Sequence, residues 1–114
     1  KSARKLKGID STRRIVDKDG IFSADVVLVP LEDGDRTIAL KKAKKKVITF
    51  DLNPLSRTAQ TSDVTIVDNV TRAMKLLVKD CKKKKAKPSY NNKKVLAESI
   101  SEIKKNLQRR ARLA

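Results

Sequence analysis

The sequence predicts an α/β domain, and three observations support that class. Short β-branched segments alternate with segments of helical periodicity along the 114 residues. Aromatic residues make up 3% of the chain, so the core must consist of Val, Ile, Leu and Ala, which suits a parallel sheet covered by helices. A helical crossover joins the first two predicted strands and forces them to pair in parallel. We therefore expect a Rossmann-like, three-layer domain with a short, mainly parallel sheet flanked by helices.

The amino-terminal part of the chain is polar and rich in turn-forming residues. We expect residues 1–22 to form an arm or loop that leads into a domain spanning residues 23–114. The first strand covers residues 24–29, which are apolar on both faces, as in a central parallel strand. The acidic loop at 31–35 supplies a carboxylate that caps a helix beginning near Arg36.

Two more strands and two helices follow. The strands are predicted at 47–50 and 64–67, with a polar loop at 55–62 between them. A helix over 70–81 places six apolar residues in one stripe that we expect to face the core. These residues are Val70, Ala73, Met74, Leu77, Val78 and Cys81. The last helix carries a second apolar stripe, formed by Leu96, Ile100, Ile103 and Leu107.

The composition limits the kinds of site that the chain can form. The sequence has no histidine and one cysteine, which excludes a His-based catalytic triad, a His/Cys zinc site and an internal disulfide. No apolar run approaches the roughly 20 residues that a membrane span requires, so we expect a cytoplasmic protein with no membrane partner. The phosphate-binding motifs G-x-G-x-x-G and G-x-x-x-x-G-K-[ST] are absent. A nucleotide would therefore bind by a less common arrangement.

The net charge of +16 is unevenly distributed along the chain. Residues 75–114 contain 14 Lys or Arg and 3 Asp or Glu. A surface of this kind attracts nucleic acids and other polyanions. It is also typical of the lysine-rich proteins of thermophiles. The charge alone leaves both interpretations open.

Each predicted strand ends in a polar cluster. The clusters lie at 32–35, 51–53 and 68–69, and parallel strands bring them to one edge of the sheet, where ligands of open α/β sheets bind. The alternative is that these residues cap helices. Capping accounts well for Asp35 and Asp68 but poorly for Asp51 and Asn53, which a proline and a long loop follow.

The loop after the second cluster contains an arginine in a stretch with few cations. Arg57 can hold a phosphate through two parallel hydrogen bonds, and the hydroxyl of Thr58 can add a third. The carboxylate of Asp51 suits ribose hydroxyls, and the amide of Asn53 can both donate to and accept from a base edge. Alternatively, Arg57 forms an ion pair with Asp51 or Asp68.

Three segments of the sequence resemble one family closely. They are the phrase P-L-E-D-G-D-R-T at 30–37, the phrase D-L-N-P-L-S-R-T at 51–58, and the end of the third strand at 65–69. In these segments, and over roughly residues 9–80 as a whole, the chain resembles the archaeal 4-phosphopantoate–β-alanine ligases, also called archaeal phosphopantothenate synthetases. That family often has a glycine in the stretch that is rich in lysine here, so Lys44 must end the first helix.

The resemblance implies an enzyme of coenzyme A biosynthesis. Such an enzyme joins 4-phosphopantoate to β-alanine, converts Mg²⁺-bound ATP to AMP and pyrophosphate through an acyl adenylate, and works as a homodimer. The family's enzymes are longer than this chain, which corresponds to their C-terminal half and would supply the ATP-binding part. The positions that match the family's ATP-binding motifs are Asp51, Leu52, Asn53, Arg57, Thr58, Asn69 and Val70.

Five further residues are candidates for contacts with the acid substrate or with phosphates. They are Arg13, Arg14, Asp33, Asp35 and Arg36. The sequence assigns no catalytic residue and no metal ligand within the chain.

Two other hypotheses remain beside the ligase. A basic nucleic-acid-binding module would use the run Lys82–Lys87 and the final helix, although the sequence offers no aromatic platform for stacked bases. A catalytically inert half would use its polar strand ends only to cap helices.

Overall fold

The computed structural model describes residues 3–7, 15–83 and 90–113. Within them the chain forms five strands and four helices, in the order β1 (Ala3–Lys5), β2 (Ile15–Asp17), β3 (Val26–Val29), α1 (Gly34–Lys42), β4 (Lys46–Phe50), α2 (Arg57–Thr61), β5 (Val64–Ile66), α3 (Val70–Cys81) and α4 (Asn92–Leu113). The strands β3, β4 and β5 form a parallel sheet in that order, and β1 pairs with β2 in antiparallel fashion. The predicted α/β class, with a small, mainly parallel sheet flanked by helices, is confirmed. None of the helices in the described ranges is both long and apolar enough to cross a membrane.

In the sheet that the described residues form, the strand that we expected to be central, β3, lies at an edge, and β4 is the central strand. The side chain of Val26 in β3 is 54% exposed, and Leu28 is also exposed, whereas Val29 is buried. The expectation was therefore wrong. A strand that is apolar on both faces suits either position, because strand order depends on pairing with distant segments and not on the strand's own composition.

The main core lies on the face of the sheet that α1 covers. Val29 and Val47 from the sheet pack with Leu40 of α1, and Leu6 and Val16 from the amino-terminal segment complete the cluster. All five side chains are buried. Burial of aliphatic side chains at about 25 cal/mol per Å² is the main force that attaches the amino-terminal segment to the sheet.

The segment that we expected to be an arm or loop contains the short antiparallel pair β1–β2. Ala3 pairs with Asp17, and Lys5 pairs with Ile15. Each strand has three residues, and Val16 is the one buried residue of the second. An apolar alternation this short cannot be recognised in a sequence. The division into an arm and a domain stays a prediction.

The helix α1 begins and ends through specific backbone contacts. It begins at Gly34, earlier than the predicted Arg36, and its cap is Asp33, whose Oδ1 accepts a hydrogen bond from the Arg36 amide at 3.1 Å. Asp35, which capping was expected to explain, lies in the first turn. At the other end Lys44 adopts a φ of 61°, so the prediction that this lysine ends the helix is confirmed.

The loop predicted at 55–62 contains the one-turn helix α2. The Ser56 hydroxyl caps it by accepting a hydrogen bond from the Ala59 amide at 3.0 Å. Ser62 follows the last residue, and its hydroxyl donates to the Thr58 carbonyl at 2.7 Å. A helix of this length has no apolar period, so its sequence looks like a polar loop.

The helix α3 has the predicted bounds, but its apolar stripe does not face the core. Ala73 is buried, whereas Val70, Met74 and Val78 are exposed. The expectation of a core-facing stripe was therefore wrong for the described chain. Helical periodicity shows which face of a helix is apolar, but not what covers that face.

The start of α4 is attached to β5 and α2 by side-chain hydrogen bonds. The Tyr90 hydroxyl donates to the Thr65 carbonyl at 2.7 Å and lies 3.3 Å from the Thr65 amide, which donates to it. The side-chain NH₂ of Asn92 donates to the carbonyls of Ala59 at 2.9 Å and Ser62 at 3.0 Å. The Tyr90 hydroxyl thereby satisfies both the carbonyl and the amide of Thr65, which lies in β5, the other edge strand of the parallel sheet.

Candidate functional site

A crevice of about 280 Å³ opens where the three parallel strands end. Its walls come from all three strand ends, and its lining consists of Pro30, Leu31, Glu32, Phe50, Asp51, Leu52, Asp68, Asn69 and Val70. Four of the seven residues predicted to bind ATP are among them, namely Asp51, Leu52, Asn69 and Val70. Pockets that enclose small molecules usually measure about 300–1,000 Å³. The crevice is therefore large enough for part of a nucleotide.

The residues that follow β4 form a loop held by its own side chains. One carboxylate oxygen of Asp51 accepts a hydrogen bond from the Asn53 amide at 2.9 Å, and the other accepts one from the Ser56 hydroxyl. The side-chain oxygen of Asn53 accepts one from the Leu55 amide at 3.0 Å. As expected, neither Asp51 nor Asn53 caps a helix; both fix the loop that leads into α2, whose cap is Ser56. The Asn53 side-chain NH₂ makes no hydrogen bond to any residue in the described ranges.

Arg57, the first residue of α2, lies across the start of α1. A Cβ atom built on Gly34 would be 3.0 Å from Cβ and from Nε of Arg57. The guanidinium donates through Nη1 to Asp35 Oδ1 at 2.9 Å. The predicted alternative, a pair with Asp51 or Asp68, was wrong, but the general expectation of a carboxylate partner holds. The side chains of Arg57 and Asp35 are 65% and 61% exposed, so solvent and ligands reach both.

Thr58 is fully buried and connects α2 to the loop between β3 and α1. Its hydroxyl accepts a hydrogen bond from the Asp33 amide at 2.9 Å and donates to Glu32 Oε1 at 3.2 Å. The same carboxylate oxygen of Glu32 accepts a hydrogen bond from the Gly34 amide at 3.0 Å. The Thr58 hydroxyl therefore fixes the position of a residue that lines the crevice.

Asp68 and Asn69 have different roles at the start of α3. Asn69 is the cap, since its Oδ1 accepts a hydrogen bond from the Arg72 amide at 2.9 Å. Asp68, which capping was expected to explain, accepts from Arg72 Nε at 2.8 Å and from the Asn69 amide at 2.7 Å. The hydrogen bond from Arg72 is the main reason why the pKa of Asp68 lies below its usual value. Asp68 is therefore an ionised carboxylate at neutral pH on the wall of the crevice.

A second, smaller cavity of about 240 Å³ adjoins the crevice across the segment Pro30–Glu32, which lines both. Its lining includes Asp33 and Arg36, two of the predicted substrate or phosphate contacts. Arg13 and Arg14 lie outside the described residues. In the described residues, no group of three or more Cys, His, Asp or Glu side chains is arranged to hold a metal ion.

Sequence reasoning assigned no role to three residues that shape this region. Glu32 accepts hydrogen bonds inside the loop after β3, Ser56 joins the crevice to α2, and Gly34 gives room to Arg57. Ser56 carries a recognisable signal, because serine directly before a helical turn is a common cap. Gly34 carries none, because the residue that packs on it lies in a different element.

Known proteins show where this chain belongs. A sequence model of the phosphopantothenate/pantothenate synthetase family matches residues 1–109. The chain belongs to this family. The family resemblance inferred from the sequence motifs is thereby confirmed.

Three curated 4-phosphopantoate–β-alanine ligases are similar to this chain. The ligase of Methanosarcina mazei is 50% identical over 105 residues, which are 84% of this chain and 42% of that protein. The ligase of Thermococcus kodakarensis is 45% identical over 117 residues, with 95% and 45% covered. The ligase of Thermococcus onnurineus is 59% identical over 70 residues, with 61% and 27% covered. This chain thus spans less than half the length of these relatives.

Proposed function

We propose that this chain supplies the ATP-binding part of a ligase of coenzyme A biosynthesis, which joins 4-phosphopantoate to β-alanine and releases AMP and pyrophosphate. One observation carries the proposal. The crevice at the carboxyl edge of the sheet is lined by Asp51, Asp68 and Asn69, in a chain that is 50% identical over 105 residues to a protein named 4-phosphopantoate–β-alanine ligase. We place the reaction in the cytoplasm, where ATP is available to a biosynthetic enzyme.

The proposed reaction has two steps. The carboxylate of 4-phosphopantoate attacks the α-phosphorus of ATP and displaces pyrophosphate, which leaves an acyl adenylate. The amine of β-alanine then attacks the acyl carbonyl and displaces AMP, giving 4′-phosphopantothenate. Both steps require aligned reactants and neutralised phosphate charge. A chain without histidine can supply both through arginine and fixed hydrogen-bond donors.

Arg57 is the residue that we expect to contact the phosphates of ATP. Its exposed ion pair with Asp35 is worth about 0–1 kcal/mol, so a phosphate can take the place of Asp35 at little cost. Arginine binds phosphate through two parallel hydrogen bonds. The loop that begins at Asp51 on the wall of the crevice holds Ser56, the residue before Arg57, although Arg57 itself is not part of the lining.

Asp51, Asn53 and Asn69 are the residues that we expect to hold the adenosine. Among the described residues, the side-chain NH₂ groups of Asn53 and Asn69 have no hydrogen-bond acceptor, so both can donate to a base or a ribose. Leu52 and Val70 give the crevice apolar surface. A Mg²⁺ ion that accompanies ATP would bind the phosphates together with one or two carboxylates beside them.

The remaining predicted contacts concern the acid substrate. Arg36 lines the adjoining cavity together with Asp33, and a guanidinium at that place suits the phosphate of 4-phosphopantoate. Thr58 acts through the loop that it holds in place. β-Alanine has no assigned contact in this chain.

We also propose that the chain works as a homodimer, in which a second copy covers the exposed stripe of α3. Beyond Val70, which lines the crevice, Met74 and Val78 present apolar side chains to solvent along this helix. Light scattering during size-exclusion chromatography should give twice the monomer mass for the parent chain. A Met74→Lys variant should give the monomer mass, and a parent chain that is itself monomeric would contradict this part of the proposal.

Calorimetry with Mg-ATP at low and moderate salt tests the proposed site. Arg57→Ala should weaken binding by at least about tenfold, because a charge-assisted hydrogen bond is worth about 1.5–3 kcal/mol. Arg109→Ala, which removes the same charge from the far end of α4, serves as the matched control and should bind like the parent. Equal affinity of Arg57→Ala and the parent would overturn the assignment.

Salt dependence separates this function from binding to a general polyanion surface. Lys82 and Lys83 are exposed after α3, and the rest of the run Lys82–Lys87 lies outside the described residues. Binding through many lysines weakens steeply as salt rises, whereas binding in the crevice should weaken less. If inorganic tripolyphosphate matches ATP and both lose affinity in salt, the basic surface is the binding site.

A further inference from the structure

A cavity of about 500 Å³ lies near the amino-terminal ends of β3 and β4, whereas the crevice lies at their carboxyl ends. The helix α1 begins beside Arg57 and runs for nine residues, which is about 13 Å at the usual helical rise. It ends at the 500 Å³ cavity, so this cavity and Arg57 lie at opposite ends of α1. Four lysines line the cavity, namely Lys5, Lys7, Lys42 and Lys45.

Lys45 is the most informative of these lysines because it is 9% exposed. Its ammonium group donates to the carbonyls of Phe22 at 2.8 Å and Ala24 at 2.7 Å. An ammonium has three protons to donate, and the third has no acceptor among the described residues. No carboxylate in the described ranges forms an ion pair with Lys45. A buried cation without a counter-ion is unfavourable, and an anion in the cavity would offset that cost.

The other three lysines add to the positive potential of the cavity. Lys5, Lys7 and Lys42 also have no carboxylate partner among the described residues, in contrast to Lys41, which is paired with Asp63 outside the cavity. The carbonyls at the end of α1 oppose an anion only weakly, because the amides of residues 43–45 donate to three of them. Four positive groups around one concave surface favour a ligand with at least two negative charges.

The remaining walls of the cavity are apolar. Leu6 is buried, Phe22 is partly exposed, and Ala43 closes the side next to α1. The volume falls within the range of about 300–1,000 Å³ that is usual for small-molecule pockets. A ligand that combines a phosphate with an apolar group would contact both the lysines and Phe22.

We propose that this cavity, which we call the lysine cavity, is a second binding site for a small organic phosphate with an apolar group, separate from the crevice. The proposal does not depend on the ligase function, because none of its residues belongs to the crevice. A nucleic acid is a poorer occupant, because the site is a concave pocket of small-molecule size with one aromatic ring.

Phenyl phosphate is a suitable probe, since it carries a dianion on one aromatic ring. In ¹H–¹⁵N NMR spectra of the full chain, it should cause saturable shifts at the amides of Leu6, Phe22, Ala43 and Lys45, and it should bind more tightly than inorganic phosphate. Lys42→Gln should raise the Kd about tenfold, as expected for loss of a charge-assisted contact. Lys45→Met, which keeps the length of the buried chain, should also weaken binding.

Lys75→Gln on α3 is the matched control and should bind phenyl phosphate like the parent. Three results would overturn the proposal. The first is shifts that do not saturate and spread over all lysine-rich surfaces. The second is shifts confined to residues 51–58, which would place the probe in the crevice. The third is equal affinity of Lys42→Gln and the parent.

Discussion

Arg57 packs directly on Gly34, where a Cβ atom would lie 3.0 Å from Cβ and Nε of the arginine and 3.2 Å from its Cζ. Gly34 is the first residue of α1, and Arg57 is the first residue of α2. The backbone of Gly34 does not adopt a positive φ, so any residue could take its conformation. A methyl group here would be tighter than an ordinary contact, so the Arg57 side chain would have to shift by a few tenths of an ångström from its place beside Asp35.

Gly34→Ala should therefore separate stability from binding. Alanine at an unstrained helix position raises the free energy of unfolding by about 0.4–1 kcal/mol, and part of this gain is offset if Arg57 must move. The shift of the guanidinium should weaken Mg-ATP binding by less than Arg57→Ala does, because that variant removes the charge-assisted hydrogen bond altogether. Urea unfolding and calorimetry on the same samples measure the two effects.

The chain contains a matched control for this substitution. A Cβ atom on Gly20 would lie 3.4 Å from Cβ of Asp17, which is an ordinary contact. Gly20→Ala should leave ATP affinity unchanged. If Gly34→Ala also binds ATP like the parent, Arg57 does not hold the phosphates from the position seen here.

Lys44→Gly should stabilise the fold. Lys44 has a φ of 61°, a left-handed conformation that costs a side-chain-bearing residue about 1–2 kcal/mol and glycine almost nothing. After the larger backbone entropy of glycine is subtracted, we expect a gain of about 1 kcal/mol in the free energy of unfolding. The midpoint of urea unfolding measures it.

Lys44→Ala distinguishes relief of the backbone from loss of a positive charge. It removes the same charge as Lys44→Gly but keeps the Cβ atom and therefore the strain. Its unfolding midpoint should stay near that of the parent. Equal stabilisation by both variants would attribute the effect to charge in a lysine-rich segment.

The elements that the sequence predicted well are those whose pattern is local. The helix α3 could be placed from its apolar period, and β4 and β5 from short β-branched runs followed by polar residues. The convergence of the strand ends could be predicted as well, because a helical crossover between β3 and β4 makes the strands parallel. Four predicted site residues lie on the crevice for this reason.

The elements that it did not predict depend on distant contacts. The pair β1–β2 is held to the core by Leu6 and Val16, and nothing in the local pattern marks either residue as buried. The partner of Arg57 was likewise unpredictable, because Asp35, Asp51 and Asp68 all stand at strand ends and only the packing on α1 selects Asp35. In the same way, the sequence shows that α3 has an apolar stripe, but it does not show whether another part of the protein covers that stripe.

Tyr90→Phe should loosen the edge of the sheet at β5. The variant removes the donor to the Thr65 carbonyl and the acceptor for the Thr65 amide. Loss of a typical hydrogen bond costs about 0.5–1.5 kcal/mol. We expect the free energy of unfolding to fall by an amount in this range or slightly above it. Amide hydrogen exchange at Thr65 should accelerate, while exchange at β4, in the centre of the sheet, changes less.

The single tyrosine allows an independent check of this contact. Burial is the main cause that raises the pKa of Tyr90 above 10.0, although the hydrogen bond with the Thr65 backbone lowers it in part. Phenolate absorbance of the folded chain should therefore appear at higher pH than in the unfolded chain. Identical titration curves in the two states would contradict the contact.

Asp63 should make the stability of the fold depend on pH in the acid range. Its carboxylate accepts hydrogen bonds from Lys41 Nζ at 2.7 Å and 2.8 Å and from the Val47 amide at 2.8 Å. Burial raises the pKa of Asp63, but the hydrogen bonds from Lys41 and Val47 and the positive charges of Lys41 and Lys46 together outweigh it, so the pKa lies below 3.8 in the folded chain. A lowered pKa means that the stabilisation is fully present well above pH 3.8 and is lost as the pH falls through the folded value.

Asp63→Asn should therefore reduce the free energy of unfolding at neutral pH by about 1.5–3 kcal/mol, the usual worth of a charge-assisted hydrogen bond. The gap between variant and parent should narrow as the pH falls below about 4, because the parent then loses the same charge. Urea unfolding followed by circular dichroism at several pH values measures this. Asp80→Asn is the control, since Asp80 forms an exposed pair with Lys83 and should have little effect at any pH. A gap that stays constant down to the lowest pH would show that the Asp63 charge does not stabilise the contact between α1 and β4.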